Sequence, residues 1–193
     1  MARILVISAP FSGHTNPTLP LVAEFVRRGH DVGFINAPKW KIKIEKLGAK
    51  FIPYLDYPES LSQVQELKRC FQAAYNTALS LQEHYDILIY DSFLYIGKSL
   101  ADKLRIPCIR NIFQQAWNDE AIEESRKDAK LRKLSNKPMM TYRILDKFVL
   151  SKKAKSQMNI QGKNLITAVL GDTAELNIVY VTESFQPYRD TFD

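Results

Sequence analysis

The segment RILVISAPFSGHTNPTLPLVAEFVRRGHDVGFIN, residues 3–36, decides the fold. Its first part, Arg3-Ile4-Leu5-Val6-Ile7-Ser8, is a short β-branched run of the kind buried on both faces of a parallel sheet, and it stops at Pro10. Phe11-Ser12-Gly13-His14-Thr15-Asn16 is rich in loop formers, and Asn16-Pro17 reads as a helix cap with proline at the first helical position. The helix then runs to Arg27-Arg28 and is stopped by Gly29. Leu19, Leu21, Val22, Phe25 and Val26 form its apolar stripe, and the terminal arginines suit the negative end of the helix dipole. Asp31 to Asn36 is a second strand. Strand, helix and strand in so short a span make a βαβ unit, hence parallel strands joined by a right-handed crossover.

Outward from this unit the same alternation continues. A short helix from Lys39 to Leu47 precedes a strand at Lys50-Phe51-Ile52-Pro53, and a longer helix runs from Ser60 to Glu83. Asp86 to Tyr90 forms a fourth strand closing at Asp91, Phe93 to Leu104 a helix, and Pro107 to Ile112 a fifth strand. Residues 118–157 read as helical, with Asp119, Glu120, Glu123 and Glu124 near the positive end. Asn177 to Thr182 is a sixth strand. The expectation is a doubly wound, Rossmann-like α/β domain over residues 1–182, with helices on both faces of a parallel sheet, and the start of an interdomain linker at 183–193.

The 193 residues, 46% of them hydrophobic, suffice for one sizeable core. No apolar run approaches the roughly 20 residues of a membrane-spanning helix, and Met1-Ala2-Arg3 leads straight into a strand, so a cytoplasmic protein is expected. Cys70 and Cys108 stand far apart and form no C-x-x-C pair, which suggests buried thiols. The net charge of +6 is local: Ser125 to Lys163 holds twelve Lys or Arg against two Asp, so the rest of the chain is acidic. Without aromatic or Gly-rich RNA-binding signatures, that segment reads as a solvated face, with peripheral membrane contact through residues 126–155 as the second reading, and nucleic-acid binding is not expected.

In open parallel sheets, ligands bind outside the carboxyl ends of strands where the strand order reverses. In a 3-2-1-4-5 order that crevice lies between strands one and four, which brings His14, after strand one, beside Asp91, at the end of strand four. A helix N-terminus disfavours imidazolium while a carboxylate on the other ring nitrogen favours it, so the pair can leave a neutral imidazole able to deprotonate a hydroxyl. The competing reading makes His14 a loop residue and Asp91 a helix cap. His30 and His84, at element ends, read as structural. No G-x-G-x-x-G, G-x-x-x-x-G-K or G-x-S-x-G occurs, and no cluster has metal-ligand spacing, so dinucleotide, P-loop, α/β-hydrolase and metal chemistry are not expected in this domain.

Gly13-His14-Thr15-Asn16-Pro17, with Leu19 and Leu21, resembles the UDP-glycosyltransferases of the macrolide and natural-product type, which have the GT-B fold. Glu24 to Val32, Tyr85 to Asp91, Ala101 to Pro107, and Val179 to Thr182 with Phe185-Gln186-Pro187 and Arg189 extend the resemblance over the whole chain. The resemblance implies the N-terminal, acceptor-binding half of an inverting transferase that uses a UDP-sugar as co-substrate, with no cofactor in this domain. By the same resemblance His14 is expected to take the acceptor proton and Asp91 to orient it. The resemblance also implies a C-terminal nucleotide-sugar-binding domain that is not in this sequence, so this chain alone is expected to bind acceptor and transfer little. The expected acceptor is a hydrophobic hydroxylated small molecule or lipid. Beside the base, Phe11, Ser12, Gly13, Thr15, Phe93, Leu94, Phe113 and Trp117 are candidate pocket residues, and Met140 and Ile144 join them from an apolar helical segment. The rival reading is a non-catalytic ligand- or partner-binding module of the same fold, or one subunit of a split transferase.

Overall fold

A computed structural model describes residues 1–127, 150–160 and 174–192. Six strands form one parallel sheet: β1 (Arg3–Ile7), β2 (Asp31–Asn36), β3 (Lys50–Pro53), β4 (Ile87–Asp91), β5 (Cys108–Ile112) and β6 (Leu176–Val179). Their spatial order is β3-β2-β1-β4-β5-β6, the doubly wound order expected from the sequence. The register sets Ile7 opposite Ile35 on one side and Tyr90 on the other, so β1 and β4 end together. Right-handed crossovers place α1 (Ser12–Arg27) and α2 (Lys41–Glu45) on one face and α3 (Gln63–Ser80) and α4 (Gly97–Leu104) on the other. Further along lie α5 (Asp119–Lys127) and α6 (Lys152–Gln157). The central strands bury Leu5, Val6, Ile35, Leu88 and Ile89 against Val22 and Ile44 from one layer and Phe71, Ala74 and Leu100 from the other.

α1 begins five residues earlier than Asn16-Pro17 suggests. The Phe11 carbonyl accepts the amides of both His14, at 3.0 Å, and Thr15, at 2.9 Å, which closes the first turn on Ser12 and leaves Pro17 and Pro20 inside the helix. Proline forfeits one hydrogen bond there, but Thr15 anchors the turn. Its hydroxyl donates to Ala9 O at 2.8 Å and accepts from Asn36 Nδ2 at 3.0 Å, joining the ends of β1 and β2 to the helix. At the other end Gly29 adopts φ +79°, its amide donating to Val26 O and that of His30 to Phe25 O, a closure that needs the left-handed region. The His30 Nδ1 accepts the Ala2 amide, a structural role, while His84 is exposed beside Asp86.

Two other boundaries move inward. α3 starts after Ser62, not Ser60, because Ser62 and Gln65 form a reciprocal capping box. α4 starts at Gly97, not Phe93: Leu94 donates to Asp91 O and Gly97 to Leu94 O, so residues 93–96 form tight turns that bury Leu94, Tyr95 and Ile96. β6 also ends at Val179, three residues before Thr182. The C-terminal segment is stitched to the domain. Gln186 accepts from the Ala116 amide at 2.9 Å and donates to its carbonyl at 2.8 Å, and Asn118 Nδ2 donates to Thr191 O at 2.6 Å. Cys70 and Cys108 are buried free thiols, both pushed up by burial, Cys108 to about 12. Among the described residues no helix is long and apolar enough to cross a membrane. Met140 and Ile144, and most of the basic 126–155 segment, lie outside the described residues.

Gly97 is where α4 meets the sheet. A methyl group added there would overlap the Tyr90 ring, itself fully buried in β4. Gly97→Ala is therefore expected to destabilise the fold by about 2 kcal/mol or more. The urea unfolding midpoint reads this directly, and an unchanged midpoint would show that Tyr90 repacks without cost.

Candidate active site

The candidate crevice is built where β1 and β4 end. Ala9, just past β1, donates its amide to Asp91 Oδ2 at 3.1 Å, and the Phe93 amide donates to Asp91 Oδ1 at 2.9 Å. Two backbone donors thus hold a side chain that is wholly out of solvent. Three further contacts fix the same strand end: Tyr54 Oη donates to Ser8 O at 2.6 Å, Trp40 Nε1 to Pro10 O at 3.0 Å, and Thr15 Oγ1 to Ala9 O. His14, in the first turn of α1, therefore enters from a rigid base.

The Nδ1 of His14 lies 2.8 Å from Asp91 Oδ2, and this nitrogen is buried. The separation is that of a charge-assisted contact, but the oxygen sits off the ring N–H axis, short of a straight hydrogen bond. Catalytic pairs often align only when a ligand closes on them. Burial works against the charged ring, yet the hydrogen-bonding and charge interaction with Asp91 outweighs it, so the imidazole is held above its ordinary value of 6.5. With Nδ1 turned to Asp91, Nε2 is the nitrogen left to take a proton.

Aromatic rings surround the imidazole. Phe93 lies 4.9 Å away, Phe113 6.0 Å and Phe11 6.1 Å between ring centroids, and Phe93 is backed in turn by Phe71. Three of the residues singled out in the sequence thus converge on His14 from three separate loops. Ser12 is exposed at the start of α1, and Gly13 has open space where a Cβ would stand. Thr15 and Leu94 do not reach the crevice: both are fully buried, the first spent on Ala9 and Asn36, the second in the core. Trp117 stands against Tyr188 at 6.3 Å, in the clasp with the C-terminal segment.

Beside Phe11 and Ser12 opens a cleft of about 470 Å³, continued by Lys39, Leu61 and Glu66. Sequence reasoning alone misses the last three. A signal exists for Glu66, which stands four residues before Cys70 on the stripe of α3 that also buries Ala73, Ala74 and Thr77, a position where a carboxylate is out of place.

No family model matches the chain. It is 25% identical to the NDP-glycosyltransferase YjiC of Bacillus licheniformis over 99% of its own length and 49% of that protein. It is 26% identical to the uncharacterized UDP-glucosyltransferase YdhE of Bacillus subtilis, over 100% and 50%. The chain spans about half the length of the curated relatives it matches. Among solved structures, the glycotransferase of kitacinnamycin superposes with a TM-score of 0.68 at 22% identity, covering 100% of this chain and 49% of that one. The calicheamicin glycosyltransferase CalG4 gives 0.63 at 22%, covering 100% and 51%. By sequence along its whole length and by its fold, the chain is a homologue of glycosyltransferases with the architecture of the N-terminal half of a GT-B enzyme.

Proposed function

We propose that the chain is the acceptor-binding, base-supplying half of an inverting glycosyltransferase that moves a sugar from a nucleotide sugar, a UDP-sugar, to a hydroxyl of an apolar small molecule or lipid. The observation that carries this reading is the His14–Asp91 pair, 2.8 Å apart at the strand-order switch and ringed by Phe11, Phe93 and Phe113. Aromatic faces around a base suit an apolar acceptor that offers a single hydroxyl to Nε2. The names of the relatives support the donor class, and a plant glycosyltransferase of the same fold, UGT89C1 of Arabidopsis thaliana, is complexed with UDP. The donor is held by a second domain that corresponds to the remaining half of those relatives.

In the reaction, His14 Nε2 accepts the acceptor's hydroxyl proton while the oxygen forms a bond to the anomeric carbon. The bond from that carbon to the diphosphate oxygen breaks at the same time, its electron pair leaving with the nucleotide, and configuration inverts. Asp91 balances the imidazolium that results and keeps the ring turned so that Nε2 faces the acceptor.

In the full reading frame, with UDP-sugars and a panel of apolar phenols, His14→Ala is expected to lower kcat by ~10²–10⁴-fold while acceptor Kd stays unchanged. Transfer that survives the substitution would remove His14 as the base. An intact protein that binds acceptors without ever transferring sugar would instead establish the binding-module reading.

The pH profile gives an independent check. Imidazolium cannot accept a proton, so kcat/KM is expected to fall as pH drops through a value above 6.5, since His14 is raised. Asp91→Asn removes the charge that raises it, so the acid limb is expected to move to lower pH while the maximal rate declines. A limb that stays in place would show that Asp91 does not act through His14.

A further inference from the structure

The cleft beside the aromatic ring around His14 has a polar floor that the proton-transfer chemistry does not use. Glu66 is carried by the first part of α3, and its side chain is about nine-tenths buried. A carboxylate so enclosed needs partners, and Lys39 Nζ, from the turn after β2, pairs with its Oε1. That pairing uses one oxygen and leaves Oε2 with accepting capacity. The buried Tyr57 hydroxyl, which makes no hydrogen bond, is within electrostatic reach of the same carboxylate, so the polar groups here outnumber the bonds among them. The remaining wall mixes Ser12, Glu59, Ser60, Leu61 and Gln63 with Phe11.

Phe11 belongs to both places. One side of its environment is the His14 ring, 6.1 Å away, and it also lines the cleft that ends on Glu66. A molecule whose reacting hydroxyl sits at His14 Nε2 and whose apolar body lies along Phe11 therefore extends toward the Lys39–Glu66 pair. Glu59 on the same cleft is exposed and screened by solvent, so at the Lys39–Glu66 pair itself a cationic or anionic arm meets one attractive and one repulsive partner. A neutral hydroxyl can donate to Glu66 and accept from Lys39 at once.

We infer that the cleft formed by Phe11, Ser12, Lys39, Leu61 and Glu66 is a specificity subsite for a second, neutral hydroxyl on the far end of the acceptor, with Glu66 as its hydrogen-bond acceptor. The inference rests on the reading of the His14 crevice as the acceptor site, and it narrows the acceptor class to elongated apolar molecules hydroxylated at both ends. A site built to hydrogen-bond a hydroxyl discriminates strongly against the analogue lacking it, because its own buried polar groups are then left without that partner.

Binding to the full protein can be measured by calorimetry with four probes: biphenyl and terphenyl carrying a hydroxyl at each end, and the same two hydrocarbons carrying one hydroxyl. At one of the two lengths, the doubly hydroxylated probe is expected to bind about 10-fold tighter than its partner. Glu66→Gln, nearly identical in shape, should cut that preference at least severalfold, and Lys39→Met should weaken it as well. Equal binding of both members at both lengths would overturn the subsite, as would a preference unchanged in Glu66→Gln. Circular dichroism identifies a variant that fails to fold; should Glu66→Gln do so, the preference measured in Lys39→Met decides for or against the subsite. Sugar transfer is scored separately with the same probes. Transfer that needs His14 but shows no hydroxyl preference defeats the subsite alone, whereas a preference without any transfer defeats the transferase reading and leaves the subsite standing.

Discussion

The buried carboxylate of Asp91 is the constraint on which the rest of the site depends. A carboxylate with no exposed surface is costly unless its lone pairs are used, and here the users come from different parts of the chain: Ala9 after β1, Phe93 after β4, and His14 from α1. Satisfying one side chain therefore sets the spacing of two strand ends and the pitch of a helix start. The tight turns at 93–96 follow from the same arrangement, since the Leu94 amide bonds back to Asp91 O and drives Leu94 into the core.

The electrostatics follow from that geometry. His14 is largely buried, which by itself disfavours a charged ring, but its partner is a carboxylate buried still more deeply, where screening by water is weak. The net effect raises the imidazole, and Nε2 is the nitrogen turned away from Asp91. Phe11, Phe93 and Phe113 keep the surroundings of the imidazole apolar and themselves offer it no competing hydrogen-bond partner. Phe113 leads into the segment clasped to Gln186, so the C-terminal residues help hold one wall of the crevice.

Short-range patterning of the chain reaches its strands better than its helix starts. Strands marked by short β-branched runs lie within a residue or two of their expected bounds, except β6, a partly exposed edge strand whose apolar run continues past its last ladder partner. Helix starts are less legible. Asn16-Pro17 carries a helix-start signature, yet the turn closes on Phe11 because Thr15 is bonded to Ala9 and Asn36, partners that only the packed sheet brings near. Thr15 and Leu94 sit next in sequence to site residues and face away from the crevice, while Lys39 and Glu66, far from His14 in sequence, line the cleft beside it.

By itself, the sequence determined the alternation of strands and helices, the parallel sheet and the switch point that brings His14 to Asp91, because periodicity and crossover handedness act over short spans of chain. Only the tertiary structure decided which neighbours of those two residues face the crevice, the direction in which the imidazole is shifted, and the pairing of Lys39 with Glu66. Those properties depend on burial and on distances between segments remote in sequence, quantities that do not exist until the chain is packed.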